Sequence, residues 1–144
     1  MSRIEAAFRQ AGEQGRAAFV PYITAGDPSP ERTASLVLAL ERAGADVVEL
    51  GVPFSDPLAD GPVNQRAAQR ALAAGTTLEG VLGLVAAMRK DTRVPLVLFT
   101  YFNPLHRMGL DRFAAAAAAA GVDGVLVTDL AVDEAADYLA PMRR

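Results

Sequence analysis

Four short apolar runs dominate this chain: Ala18-Phe19-Val20-Pro21-Tyr22-Ile23, Val47-Val48-Glu49-Leu50, Leu96-Val97-Leu98-Phe99-Thr100 and Val125-Leu126-Val127-Thr128. None alternates strictly between apolar and polar residues, and each is followed by a segment with helical periodicity. Strands covered on both faces read this way, so the pattern predicts a parallel sheet flanked by helices. An internal echo points the same way. Gly44-Ala45-Asp46-Val47-Val48 is matched by Gly121-Val122-Asp123-Gly124-Val125, with glycine ending a helix and Asp leading into a strand. A repeated βα unit is the simplest cause. No glycine-rich G-x-G-x-x-G turn follows any run, which leaves an open dinucleotide-binding sheet without support.

The helices can be placed from their caps and stripes. Ser2 and Glu5 have capping-box spacing, and Ile4, Phe8 and Ala11 share one face, so an extra N-terminal helix is expected to end near Gly12 or Gly15. Ser29-Pro30 opens a second helix with Leu36, Leu40 and Ala43 facing inward and Gly44 as its stop. After a long loop from Gly51 to Pro62, a helix over about 64–74 stops at Gly75. Thr77 then caps another, carrying Leu78, Leu82, Val85 and Met88. An alanine-rich helix over 110–120 and a last one over 132–142 complete the series. The expected fold is α/β of the (β/α)8 TIM-barrel type. Only its first four βα units, half a barrel, are expected here, in a single domain over residues 1–144.

Composition narrows function. Hydrophobic residues make up 51% of the 144, enough for a core. The net charge of −3 arises from 14 basic and 17 acidic residues without a like-charged block, which argues against a nucleic-acid partner. There is no cysteine, so disulfides and thiolate metal sites are excluded. No apolar run approaches the ~18 residues of a membrane span, and the polar start of the chain does not read as a signal peptide. A cytoplasmic protein is expected.

Barrel chemistry gathers at the C-terminal ends of strands. Those ends carry Thr24, Glu49, Thr100-Tyr101 and Thr128-Asp129. Glu49 stands out because its neighbours are apolar; desolvation raises a carboxyl pKa, as a general acid near neutrality needs. The competing reading is a structural Glu paired with Lys or Arg. Asp56 and Asp60 lie in a loop stiffened by Pro53, Pro57 and Pro62. Loop acids are usually solvated turn formers, as Asp27 before Pro28 is expected to be, and Asp60 could equally cap the turn before Gly61. A strand-end Glu beside a loop Asp nevertheless makes two carboxylates in different environments, which is how a site separates acid from base. Asp46 and Asp123, at the opposite strand ends, read as stability. His106, the sole histidine, reads as a surface-loop residue.

The unbroken segment from Glu49 to Pro62, Glu-Leu-Gly-Val-Pro-Phe-Ser-Asp-Pro-Leu-Ala-Asp-Gly-Pro, resembles the signature of the tryptophan synthase alpha chain family. The segments Phe19 to Pro28 and Thr100-Tyr101-Phe102-Asn103-Pro104 resemble that family's first strand and turn and its third strand end. The resemblance implies a lyase that cleaves indole-3-glycerol phosphate to indole and glyceraldehyde 3-phosphate in tryptophan biosynthesis. It puts the catalytic carboxylates on Glu49 and Asp60. Tyr22, Thr24, Tyr101 and Asp129 are candidate substrate-binding residues. The implied partner is the beta subunit, in an alpha2beta2 assembly, with Pro53, Asp56, Pro57, Asn103 and Pro104 as contacts. No metal and no cofactor are expected in this chain, pyridoxal phosphate belonging to the beta subunit. The competing class of function is a half-chain that docks on the beta subunit without lyase activity. Some other phosphosugar barrel enzyme is disfavoured by the unbroken motif.

Overall fold

The computed structural model describes residues 1–143. Helix α1 (Arg3–Glu13) precedes β1 (Tyr22–Thr24), α2 (Pro30–Arg42) and β2 (Val48–Gly51). Two helices, α3 (Pro62–Ala73) and α4 (Leu78–Met88), lead to β3 (Leu96–Thr100). Then come α5 (Phe102–Met108), α6 (Leu110–Ala120), β4 (Gly124–Val127), a 3-10 turn (Val132–Glu134) and α7 (Ala136–Met142). The strands form one sheet in the order β1-β2-β3-β4, every pair parallel. This is the wall of four consecutive βα units of a (β/α)8 barrel, as the apolar runs predict. No single helix among the described residues is long and apolar enough to cross a membrane.

Register sorts the strand residues onto two faces. Val48, Leu50, Leu96 and Leu98 are all fully buried, packing against Val37, Val81, Val85, Leu105 and Phe113 of the helices. Tyr22, Glu49, Val97 and Gly124 form one row of the opposite, inner face, and Thr24, Gly51, Phe99 and Leu126 form the next. The inner face is the more open one: Leu126 is 40% exposed, and Glu49, Val97 and Phe99 are half-buried.

The two echoed aspartates close the strands at their N-terminal ends in the same way. Asp46 accepts the Phe19 N–H at 2.8 Å and a bidentate pair from Arg16 at 2.6 and 2.8 Å. Asp123 accepts the Leu96 N–H at 2.8 Å and is gripped by Arg89 at 2.5 Å and Arg3 at 2.6 Å. Each carboxylate thus ties the start of its own strand to the start of the preceding one. Helix α1 joins this end of the sheet through Arg3 and through Ile4, whose Cδ1 abuts Gly124.

Four local expectations change. Strand β1 begins at Tyr22, because Pro21 has no N–H for the ladder, although its carbonyl still takes the Glu49 N–H at 2.9 Å. Helix α2 is rotated from the expected stripe: Thr33 and Val37 are fully buried and Leu36 is 38% exposed. The Thr33 hydroxyl sets that rotation by accepting the Gly26 N–H at 2.9 Å. Phe8 of α1 points outward, leaving Ala11 as that helix's buried residue. The stretch expected as one helix over 132–142 opens as a 3-10 turn and becomes α-helical only from Ala136.

Candidate active site

Glu49 sits in the middle of the inner face, between Tyr22 and Val97. Strand β2 fixes its backbone and parallel pairing on both sides fixes its direction. It is half-buried, and its carboxylate has no hydrogen-bond or ion-pair partner among the described residues. That is unlike a structural Glu, which would be neutralised by Arg or Lys.

Tyr22 lies beside it. Its ring meets Phe99 edge-on at 5.4 Å, and its hydroxyl lies 3.3 Å from the Thr24 hydroxyl. The ring also crosses Gly51, where a Cβ would overlap the Tyr22 hydroxyl. Gly51 therefore has a reason within this site: only a residue without a side chain lets the tyrosine cross the strand here. Burial pushes the Tyr22 phenol up, and the negative charges of Asp60 and Glu49 push it further against the opposing contact with Thr24. Both carboxylates thus lie close enough for their charge to be felt in the space around this hydroxyl.

Asp60 reaches this space from the loop after β2. Its Oδ2 accepts the Tyr101 hydroxyl at 2.9 Å, and the same hydroxyl accepts the Ala59 N–H at 2.9 Å. Tyr101 follows β3 directly, is 5% exposed and packs against Phe54 at 5.3 Å between ring centroids. Its phenol is pushed up to about 12, by burial first and then by the bond to Asp60. Gln65 of α3 holds the loop from its other side, donating to the Asp60 carbonyl at 2.9 Å and to that of Pro57 at 3.4 Å.

The remaining candidates divide clearly. Thr24 is buried at the end of β1 beside Tyr22. Asp129 is exposed and its Oδ1 accepts the Phe102 N–H at 2.7 Å, capping α5. Pro53 is buried and Pro57 half-buried, with Asp56 exposed between them. Asn103 is exposed and Pro104 half-buried, in the first turn of α5, where proline's missing N–H costs nothing. These loops leave adjacent strands at the rim that carries Asp60; Glu49, expected at the strand end, sits two residues inside it because β2 runs on to Gly51. No group of three or more His, Asp or Glu arranged to hold a metal ion occurs among the described residues.

Sequence reasoning missed Gln65, the whole of α5, and the partner of Asp27. Asp27 is no solvated turn former: Arg70 of α3 grips both its oxygens at 2.8 Å and holds its carboxyl below the usual range. His106 lies on the exposed side of α5 rather than in a loop, 5.7 Å from the Phe102 ring. The signal for α5 was present as a proline three residues after Tyr101 and a glycine stop at Gly109.

Comparison with known proteins places these residues in a context. Residues 8–144 match the profile of the family described as tryptophan synthase alpha chain. The alpha chain of Solibacter usitatus is 56% identical over 144 residues, which cover 100% of this chain and 54% of that protein. That of Burkholderia thailandensis is 57% identical, with 99% of this chain and 53% of the relative covered. Among solved structures, tryptophan synthase subunit alpha from Legionella pneumophila superposes with a TM-score of 0.96 at 44% identity, covering 99% of this chain and 55% of that one. A tryptophan synthase complex from Pyrococcus furiosus gives 0.83 at 44% identity, covering 88% of this chain and 52% of that one. The chain thus spans about half the length of the relatives it matches.

Proposed function

Since the chain belongs to the tryptophan synthase alpha chain family, we propose that it supplies the acid/base half of a retro-aldol lyase site for indole-3-glycerol phosphate. Breaking the bond at indole C3 requires a proton delivered to C3 and another taken from the glycerol 3′-hydroxyl. Glu49 exchanges both. Asp60 accepts the indole N–H and balances the positive charge that develops on the ring. Positioned proton transfer contributes about 10²–10⁴-fold, and a fixed counter-charge in a shielded site adds a similar order. The observation that carries this reading is an unpartnered Glu49 paired with Tyr22 on the open inner face, with Asp60 held by Tyr101 at the end of the neighbouring strand β3. Tyr22 and Thr24 line the space in which the ring would lie. The chemistry assigned to this chain uses side chains alone, without a metal or cofactor.

Barrel enzymes commonly seat phosphate on loops after strands seven and eight. The test therefore joins residues 1–144 to the complementary half of the Solibacter usitatus relative and measures indole release. Release that Glu49→Gln abolishes supports the proposal. No release, where the relative's own first half restores it in the same arrangement, would refute it. The 144 residues alone are expected to release little. The Pyrococcus furiosus relative is described as part of a tryptophan synthase complex. By that likeness the beta subunit is the proposed partner, docking on the rim of Pro53, Asp56, Pro57, Asn103 and Pro104.

A further inference from the structure

A catalytic carboxylate on a loop has a problem that one on a strand does not. Between Phe54 and Gly61 the chain has little packing of its own: Ser55 and Asp56 are exposed and Leu58 is 85% exposed. Precise placement of Asp60 must come from elsewhere. The only side chains bonded to residues 57–60 among the described residues are those of Tyr101 and Gln65. Gln65 holds backbone carbonyls. Among the described residues Tyr101 alone reaches the carboxylate.

We propose that Tyr101 is a positioning residue for Asp60: its hydroxyl fastens the loop to the end of β3 and presents the free Asp60 Oδ1 to the substrate. The phenol's bonding capacity is spent on this task, with its proton on Asp60 Oδ2 and a lone pair on the Ala59 N–H. A bond to a carboxylate is stronger than one between neutral groups, and here it is shielded by a ring that is 5% exposed and packed on Phe54. Asp60 Oδ1 has no partner among the described residues, so one oxygen is held and the other is left to accept from a ligand N–H. Tyr101 thus acts through Asp60 instead of forming a wall of the ring pocket. This role rests on the lyase reading for its purpose, but the tether itself is a property of the folded chain.

The test uses Tyr101→Phe, which keeps the ring against Phe54 and removes only the hydroxyl. Amide hydrogen exchange at Ala59 should accelerate about tenfold or more, as expected when a bond of roughly 1.4 kcal/mol is lost from a local opening. The Val52 amide, bonded to the Phe99 carbonyl, serves as the control for an intact sheet. Unchanged exchange at Ala59 would overturn the proposal. A second readout examines the partner: with Asp60→Ala, the ionised fraction of Tyr101 at pH 10.5, read from its ¹³Cζ shift, should rise at least about threefold. A ring that only packs would show no such rise, because its burial is unaltered, and that result would also overturn the tether. Neither readout needs turnover, so a failure of the lyase assay and a failure of this proposal are told apart. In the joined barrel, Tyr101→Phe should lower kcat about tenfold or more with KM little changed. A rise in KM at constant kcat would make Tyr101 a binding residue and contradict its positioning role.

Discussion

Replacing Asp123 by alanine removes three bonds at once: those to Arg89, to Arg3 and to the Leu96 N–H. The Arg3 pair is exposed on the arginine side, at 42%, and contributes little. The Arg89 pair is enclosed, with side-chain exposures of 13% and 6%. Burial already works against the Arg89 charge, lowering its pKa from the usual range, and the Asp123 carboxylate is the largest influence holding it up. Breaking a buried pair costs about 3–5 kcal/mol. Arg89 keeps bonds to the Gly121 and Val94 carbonyls, which places the loss at the lower end. An unpartnered Leu96 N–H adds about 1 kcal/mol. The expected cost is therefore about 3–4 kcal/mol, a large share of the ~5–15 kcal/mol that holds a domain together. Urea unfolding followed by circular dichroism would show it as a midpoint lowered by roughly 1.5–2 M at a slope of about 2 kcal/mol/M. The double variant Asp123→Ala/Arg89→Met should recover part of the loss, because it removes the stranded charge. A single-variant cost below about 1 kcal/mol, or no recovery in the double, would refute the reasoning.

Two other contacts give outcomes of their own. The Asp46 carboxyl is lowered from 3.8 to about 2, by Arg16 first and the Phe19 N–H second. A pKa depressed by folding adds stability above the unfolded value, and that stability is lost as pH falls through about 4 toward 2. Because Arg16 is 41% exposed, Asp46→Asn should cost only about 1 kcal/mol at pH 7, a gap that closes in urea titrations at low pH. A gap that widens with acid would be contrary to this account. Gly51→Ala should cost about 1–3 kcal/mol by overpacking against Tyr22, and that cost should vanish in a Tyr22→Ala background, as equilibrium unfolding of the four variants would reveal.

The architecture was legible because its signals are local and repeated. Continuous apolar runs, glycine stops and the Ser2–Glu5 capping box each fix an element without reference to distant residues, and the capping box forms as read. The paired aspartates were visible as an echo, but their partners were not. Arg16 lies 30 residues from Asp46, and Arg3 lies 120 residues from Asp123. Nothing in local spacing joins them; only sheet order does. The same limit hid the tie between Tyr101 and Asp60, which are 41 positions apart. Helix α5 was missed for another reason. Phe102-Asn103-Pro104 carries turn residues at a strand end, and Asn and Pro signal a helix start as readily as a loop. The hydroxyl bond that turns α2 away from its Leu36 face depends on Gly26, a residue of the preceding loop, and helical periodicity alone does not register it.

The central claim is that Glu49 moves protons and does not merely line the pocket. The most direct measurement is kcat and substrate Kd, in parallel, for Glu49→Gln in the joined barrel, with Asp60→Asn beside it. The amide preserves the shape of Glu49 but carries no transferable proton, so kcat should fall by about 10²-fold or more while Kd stays within a few-fold of the unsubstituted protein. Asp60→Asn should retain partial activity, since its amide oxygen still accepts an N–H without supplying charge. Retention of more than about a tenth of kcat by Glu49→Gln, with Kd unchanged, would contradict the assignment.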